Sequence, residues 1–188
     1  MLTRPHEKPA LDIDQDILLE RVLRKHPDVI GVGEMRSAKE ALSVAESSRT
    51  GHTVVTTIHS NSSEATYRRM MTLAKRKYNM ADDILMQIMV EAYPVVVFTK
   101  QLEDGSRQIM QIIEGEDFLD GKLLYRQLYE YKVTDNQTDE NGKTKVVGNH
   151  IQKEYISNVL KKRLLDNGIS SKELQCFLDS SKESEEPV

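Results

Sequence analysis

One carboxylate follows a short apolar run in the segment PDVIGVGEMR, residues 27–36. The run VIGV, residues 29–32, is typical of a buried strand in a parallel sheet, and such sheets bind ligands outside the carboxyl ends of their strands. Asp28 enters this strand and Glu34 leaves it, so the two lie about 20 Å apart and only Glu34 can reach a ligand there. The spacing is equally compatible with a reacting acid and with a surface ion pair at the end of a strand.

Two histidines lie on either side of a second β-branched run, TVVTTI, residues 53–58. If the two strands are parallel, His59 shares an edge of the sheet with Glu34, and His52 lies at the opposite edge. An imidazole beside a phosphate can donate a hydrogen bond, which suits His59 as a sensor of a terminal phosphate. A zinc site is the rival interpretation, but it needs further ligands and Cys176 is remote in sequence.

Arg36 and a group of basic residues on a later helix are compatible both with a binding role and with simple exposure to solvent. Arg36 lies two residues past Glu34 at the predicted start of a helix, where anions are favoured, so it is expected to contact a phosphate, a neighbouring subunit or only solvent. A basic helix further along is more typical of a solvated face than of a nucleic-acid site, because the whole chain carries a formal charge of −4. Its cations are Arg68, Arg69, Lys75, Arg76 and Lys77.

Apolar periodicity and capping signals predict four helices before residue 95. Ser37 with Glu40 forms a capping box, and Asn61 with Glu64 repeats the pattern of a cap and an acid. Methionines at helical spacing are expected to pack in the core or in an interface. The helices are predicted at about residues 14–25, 37–51, 61–77 and 81–92, and VVVFTK, residues 95–100, as a third strand. This alternation predicts a mostly parallel sheet with helices on its faces.

A different pattern begins after residue 100. Two alternating runs around Asp104-Gly105 predict a β-hairpin. Even spacing of apolar and aromatic residues continues over residues 123–133, and the polar segment 134–145 predicts a long exposed turn. Helices are predicted over residues 152–166 and 171–178, with a disordered tail over residues 180–188.

The composition narrows the class of protein. The chain has 188 residues, of which 38% are hydrophobic and 30% charged, as in a globular protein with a real core. Its single cysteine cannot form an intrachain disulfide, so a reducing compartment is expected. No apolar run approaches the ~20 residues of a membrane span.

Two segments together resemble the secretion and pilus-motor ATPase superfamily of bacteria. The segments are LLERVLRKHPDVIGVGEMR, residues 18–36, and TGHTVVTTIHSNSSEATYRRM, residues 50–70. VIGVGE looks like the atypical Walker B motif of this family, which ends in glutamate, and TGHTVVTTIHS looks like its histidine box. The resemblance is close from about Thr3 to Phe118 and looser beyond, where the layout is similar to the tight-adherence and conjugation-type branch.

This resemblance implies an α/β fold. Residues 1–118 would form part of a RecA-like P-loop NTPase core with mostly parallel strands, and residues 119–179 would form β-hairpins and C-terminal helices. Glu34 would hold Mg²⁺, directly or through water, or polarise the attacking water. His59 would sense the γ-phosphate of ATP, His52 would support the histidine box, and Arg36 would lie near the nucleotide or a subunit boundary.

The resemblance also implies partners and a location. The family forms hexameric rings that work with inner-membrane secretion or pilus proteins, so the chain is expected in the cytoplasm at the membrane surface, without direct nucleic-acid binding. The sequence has no G-x-x-x-x-G-K-[ST] motif and no acidic box, and LTRP, residues 2–5, resembles the segment that follows that box. The chain is therefore expected to be the C-terminal half of a motor, inactive and not cleanly monomeric alone. The alternative is a non-catalytic module that packs into rings or binds a partner.

Overall fold

The computed structural model describes residues 17, 18, 21, 22, 24, 25, 27–49, 51–138, 140, 142 and 144–178. Residues 17, 18, 21 and 22 are helical, while the rest of the helix predicted at 14–25 falls largely on residues outside this set. The LTRP segment and the predicted tail also lie outside it. Contacts divide the chain into two units, one of residues up to 93 with 118–122 and one of residues 94–117 with those from 123 onward.

Among its described residues, the first unit contains two parallel strands and three helices, besides the helical residues 17, 18, 21 and 22. Strand β1 pairs with β2 in register from Val29 opposite Thr53 to Val32 opposite Thr56. The helices pack against one another, and α1 also contacts β2. The elements are β1 (Val29–Val32), α1 (Ala38–Arg49), β2 (Thr53–Thr56), α2 (Ser63–Lys75) and α3 (Asp82–Ala92).

The three helices bury the core of the first unit. Met70, Met86 and Met89 are at most 2% exposed, which confirms that these methionines serve packing. Burial of each such side chain contributes about 1.5–3 kcal/mol. The Tyr67 hydroxyl donates to the Tyr93 carbonyl oxygen at 2.6 Å, which ties α2 to the end of α3.

Strand β1 is covered on one face only, which corrects the prediction of a fully buried run. Ile30 and Val32 are buried, whereas Val29 is 57% exposed. On β2, Val55 is 60% exposed and is paired with Gly31. The apolar run alone could not reveal this, because burial of the second face depends on what else covers the sheet.

The start of α2 differs by one residue from the predicted cap. Ser62, rather than Asn61, is the N-cap, and its hydroxyl oxygen accepts a hydrogen bond from the Ala65 amide at 3.1 Å. Both residue types cap helices well, so the sequence pattern could not choose between adjacent positions.

The second unit is an antiparallel sheet followed by short helices. Its strands are ordered β3-β4-β5-β6. They are β3 (Val95–Gln101), β4 (Arg107–Leu119), β5 (Lys122–Thr138) and β6 (Thr144–Gln152), and α4 (Asn158–Asp166), α5 (Ser171–Leu174) and a 3-10 turn (Gln175–Phe177) follow.

Strand β3 has a different partner from the one that the alternation predicts. It pairs antiparallel with β4, from Val95 opposite Glu114 to Gln101 opposite Arg107. The hairpin predicted at Asp104-Gly105 is confirmed, with Gly105 at φ +80°. A second hairpin signal, Asp120-Gly121, was missed; both residues have positive φ and join β4 to β5 through a two-residue turn.

Three further predictions in this unit differ from the structure. The polar segment 134–145 is not one long turn, because β5 continues to Thr138, which pairs with Thr144 at the start of β6. The helix predicted from residue 152 begins only at Asn158, and the last predicted helix is a short α-helix followed by a 3-10 turn. The polar residues of 134–145 can pair in an exposed hairpin, and because neither face of this hairpin is buried, the sequence shows no apolar alternation there.

The fold class is confirmed: the protein is α/β, with parallel strands followed by β-hairpins and C-terminal helices. None of the helices in the described part of the chain has the length and hydropathy of a membrane span. The predicted division at residue 118 concerns the extent of an ATPase core and stays a prediction.

Candidate functional site

The parallel pairing of β1 and β2 places the segments that follow both strands at one edge of the sheet. The Thr57 hydroxyl donates to the Gly33 carbonyl oxygen at 2.5 Å, and the Met35 amide donates to the Thr57 carbonyl oxygen at 2.8 Å. The Met35 side chain is buried. The backbone on both sides of Glu34 is therefore fixed.

The Glu34 carboxylate meets side chains from both segments. Its Oε1 atom lies 3.5 Å from Nε2 of His59, and its Oε2 atom accepts a hydrogen bond from the Arg36 guanidinium. The prediction that Glu34 and His59 share an edge is confirmed. The sequence pattern predicted no partner for Arg36 within the chain. In the structure, Arg36 forms a group of three with Glu34 and His59.

Arg36 is held through its backbone by a buried acid. The Glu40 carboxylate, which is 5% exposed, accepts hydrogen bonds from the Arg36 amide at 2.6 Å and from the Ser37 amide at 2.8 Å. The Ser37 hydroxyl accepts in turn from the Glu40 amide at 3.1 Å, so the predicted capping box is confirmed. The S-x-x-E spacing reveals the box but gives no sign that Glu40 also holds the Arg36 amide.

The charges around Glu34 favour its ionised form. The hydrogen bond from Arg36 is the largest influence and lowers the pKa of Glu34, and the charges of Arg36 and His59 lower it further. Partial desolvation opposes this, so the net change is a lowered pKa. Glu34 is therefore an anionic acceptor at neutral pH and a weak general base.

The remaining predicted residues lie apart from this group. His52 precedes β2 at the other end of the strand, and its Nδ1 atom lies 3.3 Å from the Ser47 carbonyl oxygen. The basic residues of α2 and the turn after it are exposed. One of them, Lys75, forms an ion pair with Asp82.

Glu34 fits a magnesium contact of one particular kind. Mg²⁺ commonly keeps several waters and takes one or two carboxylates together with substrate phosphates. One ionised carboxylate at an open edge meets that description. In the described ranges, this edge included, no three His, Cys, Asp or Glu side chains come close enough to share a metal ion.

Comparison with known proteins identifies the family. The family model described as type II/IV secretion system protein matches residues 5–175. The chain belongs to this family. Glu34, Arg36 and His59 all lie within the matched residues.

The relatives are similar over part of the chain. The protein transport protein HofB homolog of Haemophilus influenzae is 31% identical over 80 residues, which are 43% of this chain and 17% of that protein. The type IV pilus assembly ATPase PilB of Pseudomonas aeruginosa is 34% identical over 76 residues, which are 40% of this chain and 13% of that protein. The matched segments thus span less than a fifth of either relative.

One solved structure shows a weaker likeness. The VirB11 ATPase from the Brucella suis type IV secretion system, in complex with sulphate, has a TM-score of 0.49 and 24% identity. The superposed part covers 53% of this chain and 31% of VirB11.

Proposed function

We propose that this chain is the C-terminal portion of a hexameric ATPase that powers protein secretion, DNA transfer or pilus assembly. Family membership and relatives named as ATPases support this proposal. The observation that carries it is the convergence of Glu34 and His59 at one edge of a parallel sheet, with Oε1 and Nε2 at 3.5 Å. Ligands of parallel sheets bind at this edge.

Each residue of the group has a role in this proposal. Glu34, as the Walker B acid, would hold Mg²⁺, directly or through one of its waters, or would polarise the attacking water. His59 donates a hydrogen bond to the γ-phosphate, and Arg36 lies beside them at the nucleotide edge. His52 acts from the far end of β2 by fixing the start of the strand. When bound, ATP would supply the phosphoryl group, and Mg²⁺ would neutralise charge on its phosphates.

The proposal extends to the surroundings of the chain. Residues 1–118 belong to a RecA-like core whose phosphate-binding loop comes from another part of the motor. The ring lies in the cytoplasm against the inner membrane, where it works with secretion or pilus proteins and makes no direct nucleic-acid contact.

A non-catalytic ring-packing module is the second candidate. It is favoured by the uncovered face of the two-stranded sheet, where Val29 and Val55 are 57% and 60% exposed. Such a face suits a packing surface.

The deciding experiment is titration calorimetry of Mg-ATP into the chain alone and into its mixture with the P-loop-bearing half of a family ATPase. Binding and hydrolysis are expected only in the mixture. Glu34→Gln should retain ATP binding and lower turnover by about 100-fold or more, since it keeps the size of the side chain and removes the charge. Glu91→Gln is the matched control, because Glu91 also pairs with an arginine, Arg49, at 2.7 Å.

The outcomes separate the candidates. A mixture that assembles without hydrolysis favours the packing module. Tight binding of Mg-ATP by the chain alone would contradict the proposal that the phosphates are bound by the P-loop-bearing half. Unchanged turnover of Glu34→Gln would show that this acid takes no part in the mechanism.

A further inference from the structure

Both oxygens of the Glu34 carboxylate face side-chain nitrogen atoms of the chain itself. Arg36 donates to Oε2, and His59 Nε2 lies 3.5 Å from Oε1. A cation that approaches Glu34 therefore meets a carboxylate that is partly covered. A carboxylate oxygen has two lone-pair positions, so a cation on Oε2 either takes the position that Arg36 uses or lies beside the Arg36 charge and is repelled by it.

The side chains of Arg36 and His59 are much more exposed to solvent than the carboxylate that they contact. The Glu34 side chain is 26% exposed, whereas Arg36 and His59 are 75% and 91% exposed. The Arg36 backbone is fixed through its amide by Glu40 at 2.6 Å. The guanidinium can therefore leave by rotation of its side chain while the main chain stays in place.

We propose that Arg36 is a displaceable cover on Glu34, which competes with a hydrated divalent cation for Oε2. The inference rests on the proposed contact between Glu34 and Mg²⁺. A guanidinium and a hydrated cation both seek carboxylate oxygens and cannot occupy one position together. Exposed ion pairs are weak, so a divalent cation can displace this one. Cation binding then frees the Arg36 side chain for an anionic group at the same edge.

The first test uses Mn²⁺ as a paramagnetic probe on the 188-residue chain. Broadening of the Gly33 and Met35 amide signals in NMR spectra reports a cation at Glu34. Arg36→Gln should reach the same broadening at a roughly two- to fivefold lower Mn²⁺ concentration, the change expected when a weak competing ion pair is removed. Glu34→Gln should abolish it.

A matched control separates competition from a change of net charge. Arg49→Gln also removes one guanidinium, but Arg49 pairs with Glu46 and Glu91. It should leave the Mn²⁺ dependence at Gly33 and Met35 unchanged.

The second test follows the Arg36 Nε–H signal during titration with Mg²⁺. In the wild-type chain, the signal should move toward that of a solvated arginine. In Glu34→Gln it should start there and stay unchanged, because the acceptor carboxylate is absent.

The possible failures are distinguishable. Equal Mn²⁺ dependence in the wild type and Arg36→Gln, or amide broadening without movement of the Arg36 signal, would overturn the competition and leave the proposed Mg²⁺ contact in place. No broadening near Glu34 in either protein would overturn the competition, whereas the Mg²⁺ contact that depends on bound ATP is tested separately by calorimetry of the mixture.

Discussion

At the residue scale, Glu34 is set apart by its neighbours rather than by burial. Its main-chain position is fixed by hydrogen bonds between the segments after β1 and β2, and its side chain meets Arg36 and His59. The local charge therefore keeps Glu34 ionised at the exposed edge of the sheet. A carboxylate with a lowered pKa is a good hydrogen-bond acceptor and a weak general base.

The lowered pKa of Glu34 leads to a prediction about pH. Titration of its side-chain carboxyl carbon by NMR should have a midpoint below that of an ordinary glutamate, and Arg36→Gln should raise this midpoint, since the Arg36 hydrogen bond is the main cause of the shift. Because the folded pKa lies below the unfolded one, the stabilisation is present above the ordinary glutamate range. It is lost as the pH falls through the lowered pKa.

Glu173 provides the control for this measurement. A hydrogen bond from Ser170 is the main cause that lowers the pKa of Glu173, so Arg36→Gln should leave its titration unchanged. A Glu34 midpoint that is equal in the wild type and the variant would contradict the assigned cause.

At the scale of elements, α4 is attached to the antiparallel sheet through a buried carboxylate. Glu114 on β4 is 2% exposed, and it accepts hydrogen bonds from the Ser157 amide at 2.8 Å and from the Ser157 hydroxyl. The same hydroxyl oxygen accepts from the Leu160 amide at 3.1 Å and caps the helix. One serine thus caps the helix and donates hydrogen bonds to a buried carboxylate.

Ser157→Ala should therefore cost more than loss of an ordinary cap. It removes the cap and one of the two donors to Glu114, so the free energy of unfolding should fall by about 2–3 kcal/mol. Ser170→Ala is the matched variant, since Ser170 caps α5 with the exposed Glu173 as its partner, and about 1 kcal/mol or less is expected there. Urea denaturation measures both. Equal losses would show that the bond to Glu114 adds nothing.

At the scale of the whole molecule, the two-stranded sheet presents apolar side chains to solvent. Val29 and Val55 lie on its exposed face. Val29 precedes Gly31 by two residues on β1, and Val55 pairs with Gly31 across the sheet. Uncovered apolar faces favour association, so the chain is expected to associate with itself at rising concentration.

The double variant Val29→Thr, Val55→Thr should reduce this association. Threonine keeps the β-branched shape that strands favour and lowers the apolar surface. Sedimentation velocity over a range of concentrations should show a smaller average mass than the wild type. The control is Val159→Thr on α4, where the valine is 80% exposed but lies on a helix. A wild-type chain that sediments as one monomeric species at every concentration would contradict the prediction.

The sequence by itself determined the features that depend on local pattern. Capping boxes, β-branched runs and the Asp104-Gly105 turn act over a few residues, so the main helices and strands and the start of α1 just after Ser37 could be predicted. The shared edge of Glu34 and His59 followed once the strands were taken as parallel.

Only the tertiary structure decided the features that depend on distant partners. The antiparallel partner of β3, the uncovered face of β1 and the bond between Glu114 and Ser157, 43 residues apart, all require chain segments to meet that no local pattern connects. The contact of Arg36 with Glu34 belongs here too, although only two residues separate them. Its geometry depends on Thr57 and Glu40, which hold the backbone on both sides, and side-chain direction follows from that fixed backbone.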